Sequence, residues 1–246
     1  MILGFIGSGS MAAALARGLV DEVDGMLFSD SGSGRAAELA AELGGEALPA
    51  AEVADRADAI VLAVKPAALD AVAPELQDAE EIVSVLAATP LSRLREAFPD
   101  ALILRTMPNV GVEVRQGVIC ISGDALSPWV GAALERIAHV VEIEEDDFDG
   151  ATAVMGCAPA YLALAVEAIA DAGAEDGLDP KLARELIVET TAGTAELLRL
   201  HHPADVRRAV ASPGGSTEAG LEALDREGAR GAFTAAIVAS LERMRG

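Results

Sequence analysis

A chain of 246 residues is long enough for one large domain or two small ones with a substantial core, and its 52% apolar and 24% charged residues are those of a globular protein. A formal charge of −22, spread along the chain rather than gathered in a tail, argues against nucleic acid or an anionic membrane as a partner. Much of the apolar fraction is alanine, and no uncharged apolar run reaches the roughly 18 residues of a bilayer span, so a membrane protein is not expected.

Of the 18 basic residues only Lys65 and Lys181 are lysines. A compositional bias of the genome explains the arginine preference but not a charge this negative; a salt-rich cytosol is the second explanation. Cys120 and Cys157 have no partner at metal-ligand spacing, and His139, His201 and His202 form no metal pattern, so no metal is expected. Two thiols in a chain of this length point to a reducing, cytoplasmic setting.

The first residues, Met1 to Gly7, lack the basic and long apolar regions of a signal peptide and read as a strand, Ile2–Ile6. Further strands are expected at Gly25–Ser29, Ala59–Val64, Ile82–Leu86, Leu102–Arg105 and Val118–Ser122, with another at Val140–Ile143. Helical pattern lies between them, as at Met11–Val20 and Gly34–Leu43. This alternation implies an α/β fold: a doubly wound, mostly parallel sheet with right-handed crossovers over residues 1–149.

The pattern changes at the acidic stretch Glu144–Gly150, beyond which only helices are expected: Ala151–Asp176, Pro180–Arg199, Pro203–Ala211, Thr217–Glu227 and Gly231–Arg245. Gly177 and Gly228 suit helix stops, and Pro180 and Pro203 suit first turns. Residues 150–246 thus read as an all-α domain. Its first helix is apolar around most of its circumference, with Leu162, Leu164, Val166 and Ile169, and such a helix must be buried. Fewer than a hundred residues cannot easily bury it, so it is predicted to pack against a second subunit.

Gly7-Ser8-Gly9-Ser10-Met11-Ala12 follows the first strand and opens the first helix. It is the Gly-x-Gly-x-x-Ala form of the dinucleotide fingerprint of a Rossmann domain. Gly7 allows the tight turn, Gly9 lets a pyrophosphate approach the backbone, and Ala12 keeps helix and sheet close. The second strand ends at Ser29-Asp30-Ser31-Gly32-Ser33-Gly34-Arg35. Asp30 stands where an acid would bind a ribose 2′-OH, favouring NADH; Ser31, Ser33 and Arg35 suit a 2′-phosphate, favouring NADPH; and Asp30 is equally well placed as a turn residue. Ala63-Val64-Lys65-Pro66 ends the third main strand at the carboxyl edge, where ligands bind in such sheets.

Late in the chain, Ser212-Pro213-Gly214-Gly215 precedes a helix with Thr217 in its first turn. Two glycines there would expose successive amides to a carboxylate at a helix N-terminus. The plainer alternative is an ordinary helix start capped by Ser216.

Taken together, Gly4-Phe5-Ile6-Gly7-Ser8-Gly9-Ser10-Met11, Ala63-Val64-Lys65-Pro66, Arg105-Thr106-Met107-Pro108-Asn109, Gly156-Cys157-Ala158-Pro159-Ala160-Tyr161 and Ser212-Pro213-Gly214-Gly215-Ser216-Thr217 resemble pyrroline-5-carboxylate reductase, in order and spacing, over nearly the whole chain. The resemblance implies a Rossmann domain joined to a helical dimerisation domain, in a homodimer or larger homo-oligomer. It implies reduction of 1-pyrroline-5-carboxylate to L-proline by NADPH or NADH. It places the cofactor on Gly7 to Met11 and on Ala63 to Pro66, with Ala87 and Asn109 close by. It places the substrate at Ser212, Gly214, Gly215, Ser216 and Thr217, with Thr217 on the reacting nitrogen. The sequence departs from the family pattern in three places: Val110-Gly111 stands for Thr-Pro after Met-Pro-Asn, Ala87-Ala88 for Ala-Gly, and Cys157-Ala158 for Ser-Gly. Two other readings remain at this stage. One is a reductase of another cyclic imine acid or a 2-hydroxy acid, for which Lys181 is the one candidate cation. The other is a non-catalytic NAD(P)-binding regulatory protein.

Overall fold

The computed structural model describes residues 1–245 and divides into two compact units, Met1–Cys157 with the chain's end from Met244, and Ala158–Arg243. The first unit is an eight-stranded sheet with helices on both faces. In chain order its elements are β1 (Ile2–Ile6), α1 (Ser10–Leu19), β2 (Gly25–Ser29), α2 (Arg35–Leu43), β3 (Glu46–Ala47), α3 (Ala50–Arg56), β4 (Ala59–Leu62), the short α4 (Leu69–Val72), β5 (Glu81–Ser84), α5 (Leu91–Ala97), β6 (Leu102–Pro108), β7 (Gly117–Gly123), α6 (Pro128–Ile137), β8 (Ala138–Glu142) and α7 (Phe148–Ala151).

The strands lie in the order β3-β2-β1-β4-β5-β6-β7-β8. All neighbours are parallel except β6 and β7, which run antiparallel with Met107 opposite Cys120. The order reverses between β1 and β4, and that switch opens a crevice at the carboxyl ends of the two strands. Side chains alternate across the sheet as a pleat requires. Phe5, Val61 and Val83 join Ala12, Leu15 and Leu19 of α1 on one face. Ile6, Ile60, Leu62 and Ile82 join Val53 of α3 and Leu94 of α5 on the other. Phe5 and Phe28, paired in register, stack with ring centroids 5.2 Å apart.

Several expected boundaries move. β4 ends at Leu62 and β5 at Ser84, two residues short of the apolar runs, with Ala63 N and Val85 N still bonded to Ile6 O and Leu62 O of the neighbouring strands. β6 continues to Pro108 against β7. The two-residue β3 carries no periodic signal and was not expected.

The second unit contains α8 (Ala158–Glu175), α9 (Pro180–Leu200), α10 (Pro203–Val210), α11 (Ser216–Arg226) and α12 (Ala229–Arg245, whose last residues belong to the first unit). Gly177 and Gly228 take left-handed conformations after helices, and Pro180 and Pro203 open helices, as expected. The single helix expected over Ala151–Asp176 is instead α7, a π turn at Thr152–Gly156, and α8. The π turn closes with Cys157 N donating to Thr152 O at 3.1 Å, while Thr152 Oγ1 donates back to Phe148 O.

The helical unit barely has an interior: Ala183 is its one buried residue among those described, while Leu164 is 64% exposed, Ile169 56% and Phe233 52%. Tyr161 is fixed within it, its hydroxyl 2.6 Å from Ser240 Oγ. The helical stretch Glu145–Glu175 is long and apolar enough to cross a membrane by length and composition alone, which the count of uncharged runs had not flagged.

Candidate active site

The first site is built where β1 turns into α1. Gly7 has φ +97°, and a Cβ there would lie 2.6 Å from Ala63 O, so both conformation and space require glycine. Its amide donates to Ser29 O at 2.9 Å, and the buried Ser8 hydroxyl donates to the same carbonyl at 3.2 Å. Ser8 is thereby spent on tying β1 to β2, leaving its backbone, not its hydroxyl, to face a ligand. Gly9 caps α1, and a Cβ there would meet nothing within 4 Å.

The start of α1 has no side-chain cap and no acid in its first turn. The first helical bond is Ala13 N to Gly9 O, so the amides of Ser10, Met11 and Ala12 point out unsatisfied, with the positive end of the helix dipole behind them. Ala12 is fully buried against the sheet.

This turn forms one wall of a cleft of about 650 Å³. Gly7, Ser8 and Gly9 line it, as do Asp30, Ser31, Ser33 and Arg35 after β2, and Ala63, Val64 and Lys65 after β4. Ile6, Ser29, Pro49, Ala50, Ala68, Ala71, Val72 and Glu75 complete it. The residues from Pro49 onward were not anticipated, because scattered alanines, a proline, a valine and a glutamate carry no signal apart from the cavity they border. The volume, the uncapped helix and the open space before Gly9 fit a dinucleotide.

Asp30 takes the turn role while still lining the cleft. Its Oδ1 accepts from Gly32 N (2.7 Å) and Ser33 N (3.0 Å), and its Oδ2 from Ser33 Oγ and Ala36 N (both 2.8 Å). These bonds, that from Ala36 first, hold its pKa down at about 2. The carboxylate is consumed in shaping the loop and in capping α2. Ser31, Ser33 and Arg35 remain on the cleft wall.

Ser10, Met11, Pro66, Ala87 and Asn109 are not among the lining residues. Asn109 is internally engaged: its Oδ1 accepts from Gly111 N and Val118 N at 3.2 Å, and its Nδ2 donates to Met155 O at 3.3 Å. It staples the β6–β7 turn to the π turn through its Oδ1 and one of its two Nδ2 hydrogens.

The second candidate region lies in the helical unit. Gly214 has φ +72°, and Gly215, not Ser216, is the N-cap of α11, without a side-chain bond. Neither glycine amide is free: Gly215 N closes a turn on Ser212 O at 2.9 Å, and Gly214 N donates to Glu218 Oε2 at 2.6 Å. The open donors are one step on. Ala219 N makes the first helical bond, to Gly215 O, which leaves the first-turn amides of Ser216, Thr217 and Glu218. The Thr217 side chain is exposed beside them.

Comparison with known proteins places these features in a family. A profile described as "Pyrroline-5-carboxylate reductase dimerisation" matches residues 145–246, and one described as "NADP oxidoreductase coenzyme F420-dependent" matches residues 2–88. The pyrroline-5-carboxylate reductase of Thermus thermophilus is 33% identical over 257 residues, covering 99% of this chain and 97% of that protein. The solved structure of the Streptococcus pyogenes 1-pyrroline-5-carboxylate reductase superimposes with a TM-score of 0.87 at 31% identity, covering 99% of this chain and 98% of that one. The Plasmodium falciparum pyrroline carboxylate reductase with NADP bound gives 0.86 at 26% identity, covering 99% and 97%. Joined to the glycine turn, the cleft and the helical unit lacking a core, these likenesses show that the chain belongs to the pyrroline-5-carboxylate reductase family.

Proposed function

We propose that the protein reduces 1-pyrroline-5-carboxylate to L-proline with NADPH, in the cytoplasm, as a homodimer or larger homo-oligomer joined through its C-terminal helices. The observation that carries this reading is the uncapped, acid-free start of α1 opening on a dinucleotide-sized cleft, in a chain of this family. When bound, the reduced nicotinamide supplies the hydride. The rest falls to residues of the chain.

The amides of Ser10, Met11 and Ala12 hold the pyrophosphate. Ser31 and Arg35 take the 2′-phosphate: Asp30 already accepts four bonds and has no acceptor left for a ribose hydroxyl, and Ser33 gives both its amide and its hydroxyl proton to Asp30. Residues 1–149 thus serve the dinucleotide and residues 150–246 the imino acid. The substrate carboxylate bonds to the first-turn amides of α11, at Ser216 and Thr217, in the loop that begins at Ser212 and turns at Gly214 and Gly215. The Thr217 hydroxyl accepts from the ring N–H and so favours the protonated iminium, the better hydride acceptor. Hydride adds to the C=N carbon, its π electrons pass to nitrogen, and the proton already there completes the secondary amine.

The test is a direct assay. Protein mixed with 1-pyrroline-5-carboxylate and NADPH should oxidise the cofactor and yield proline, with NADH a poorer donor. Tight NADPH binding without turnover on any cyclic imine acid would defeat the proposal.

A further inference from the structure

The backbone is strained at one point on the carboxyl edge of the sheet. Ala88, in the loop between β5 and α5, has φ +52°, a left-handed conformation that glycine adopts freely and alanine does not. Such strain persists only where the surroundings over-determine it, and it gathers at functional sites. Here the surroundings can be named. Thr89 is buried and its Oγ1 donates to Ala87 O at 3.1 Å. Leu91 N, the first amide of α5, donates to Glu145 Oε1 at 2.6 Å across 54 residues of sequence. The N-cap of α5 is Pro90, which offers no side-chain bond, so Glu145 caps the helix from a distance.

Glu145 is itself gripped. The same oxygen accepts from Arg105 NH1 at 2.8 Å, and Arg105 is only 5% exposed, its guanidinium 4.2 Å over the Phe148 ring. The Arg105 Nε has no hydrogen-bond partner, so Glu145 is the one carboxylate that offsets this buried charge among the described residues. One carboxylate oxygen therefore joins a buried cation on β6 to the helix that follows the strained loop. β5 neighbours β4, whose end carries Ala63, Val64 and Lys65 on the cleft wall; Ala87 follows β5 at the same edge of the sheet without itself lining the cleft.

We infer that Glu145 is a positioning residue, which fixes the Ala87–Pro90 loop through Leu91 N and Arg105 in the shape that meets the nicotinamide end of the dinucleotide. This rests on the dinucleotide lying on the Gly7–Ala12 turn. Released from Glu145, Ala88 relaxes to negative φ and turns the peptide between Ala87 and Ala88 away from that shape.

The experiment uses the full chain as wild type, Glu145→Ala, Ala88→Gly and the double variant; alanine removes the oxygen that accepts from Leu91 N and Arg105. NADPH is compared with 2′,5′-ADP, which keeps the adenine and the 2′-phosphate but lacks the nicotinamide. Glu145→Ala should bind 2′,5′-ADP within about twofold of wild type yet bind NADPH more weakly and turn over about tenfold more slowly. Adding Ala88→Gly should recover most of that loss, because glycine takes the left-handed geometry unaided. Should Glu145→Ala fail to fold, Arg105→Met with Glu145→Met removes the pair together, leaves no buried charge unmatched, and should show the same split between the two ligands. Unchanged kinetics, equal loss of both ligands, or no recovery with Ala88→Gly would overturn the inference. A wild type that binds neither ligand would overturn the dinucleotide reading, and this inference with it.

Discussion

Asp30 shows how the bonds a side chain already makes bear on the cofactor proposed for the cleft it lines. With all four bonds in place its carboxyl is held at about pH 2, so its contribution to stability is full above the ordinary carboxylate range and is lost as pH falls through that value. Asp30→Ala should destabilise the protein by about 1 kcal/mol, the usual worth of a helix cap, in denaturant melts at neutral pH. It should leave the preference for NADPH over NADH intact. A collapse of NADH binding in this variant would return Asp30 to the ribose. Arg35→Ala should weaken NADPH by about tenfold or more, as loss of a charge-assisted bond does, and leave NADH nearly untouched in titrations of each cofactor. Thr217→Ala should lower kcat with little change in the dissociation constant of NADPH; unchanged turnover removes Thr217 from the chemistry. The glycine turn was legible because its conformational demand is written in residue type. Asp30 was not, since a turn-capping aspartate and a ribose-binding one occupy the same place after β2. The occupied amides of Gly214 and Gly215 were equally hidden, because only the folded loop brings Glu218 back onto Gly214.

At the scale of the element, α1 is built to leave its first turn empty while α2 has its own filled by Asp30. Gly9→Leu should therefore abolish NADPH binding while melting close to wild type, since a Cβ there meets nothing within 4 Å and Gly9 lines the cleft. Retained binding would mean that the turn does not carry the pyrophosphate. Most strands and helices were legible from apolar periodicity, and their ends shifted by a few residues where the chain bends at the carboxyl edge. The antiparallel step was legible in principle: only residues 109–116 separate β6 from β7, too few for the dozen or more that a parallel crossover needs. The π turn had no signature, because one extra residue in a helical register changes no residue type. The strain at Ala88 was visible in sequence only as alanine where the family usually has glycine; its left-handed backbone and its distant anchor required the fold.

The whole molecule combines a well-packed sheet unit with a helical unit that buries almost nothing within itself. A segment of that size without a core cannot offset its conformational entropy alone, and a dimerisation profile matches it. The need for a partner was legible from the all-round apolarity of the segment that became α8. The number of subunits was not, since apolarity states how much surface must be covered and not by how many copies. Surplus charge of one sign adds a second term, as repulsion within a −22 chain opposes compaction. Molar KCl should raise the melting temperature by about 5 °C or more over low salt, and activity should rise with it. A flat profile would count against a salt-rich cytosol as the account of the acidity.

The bare apolar surface of α8 has a kinetic corollary. Each newly made copy presents it to water until another copy arrives, and the two approach one another as like-charged bodies. Mutual repulsion slows their encounter in dilute buffer, whereas counterions shorten its range and hasten pairing. The time a fresh chain spends alone, open to proteolysis or clumping, is thus set jointly by how many copies share the compartment and by the ions around them.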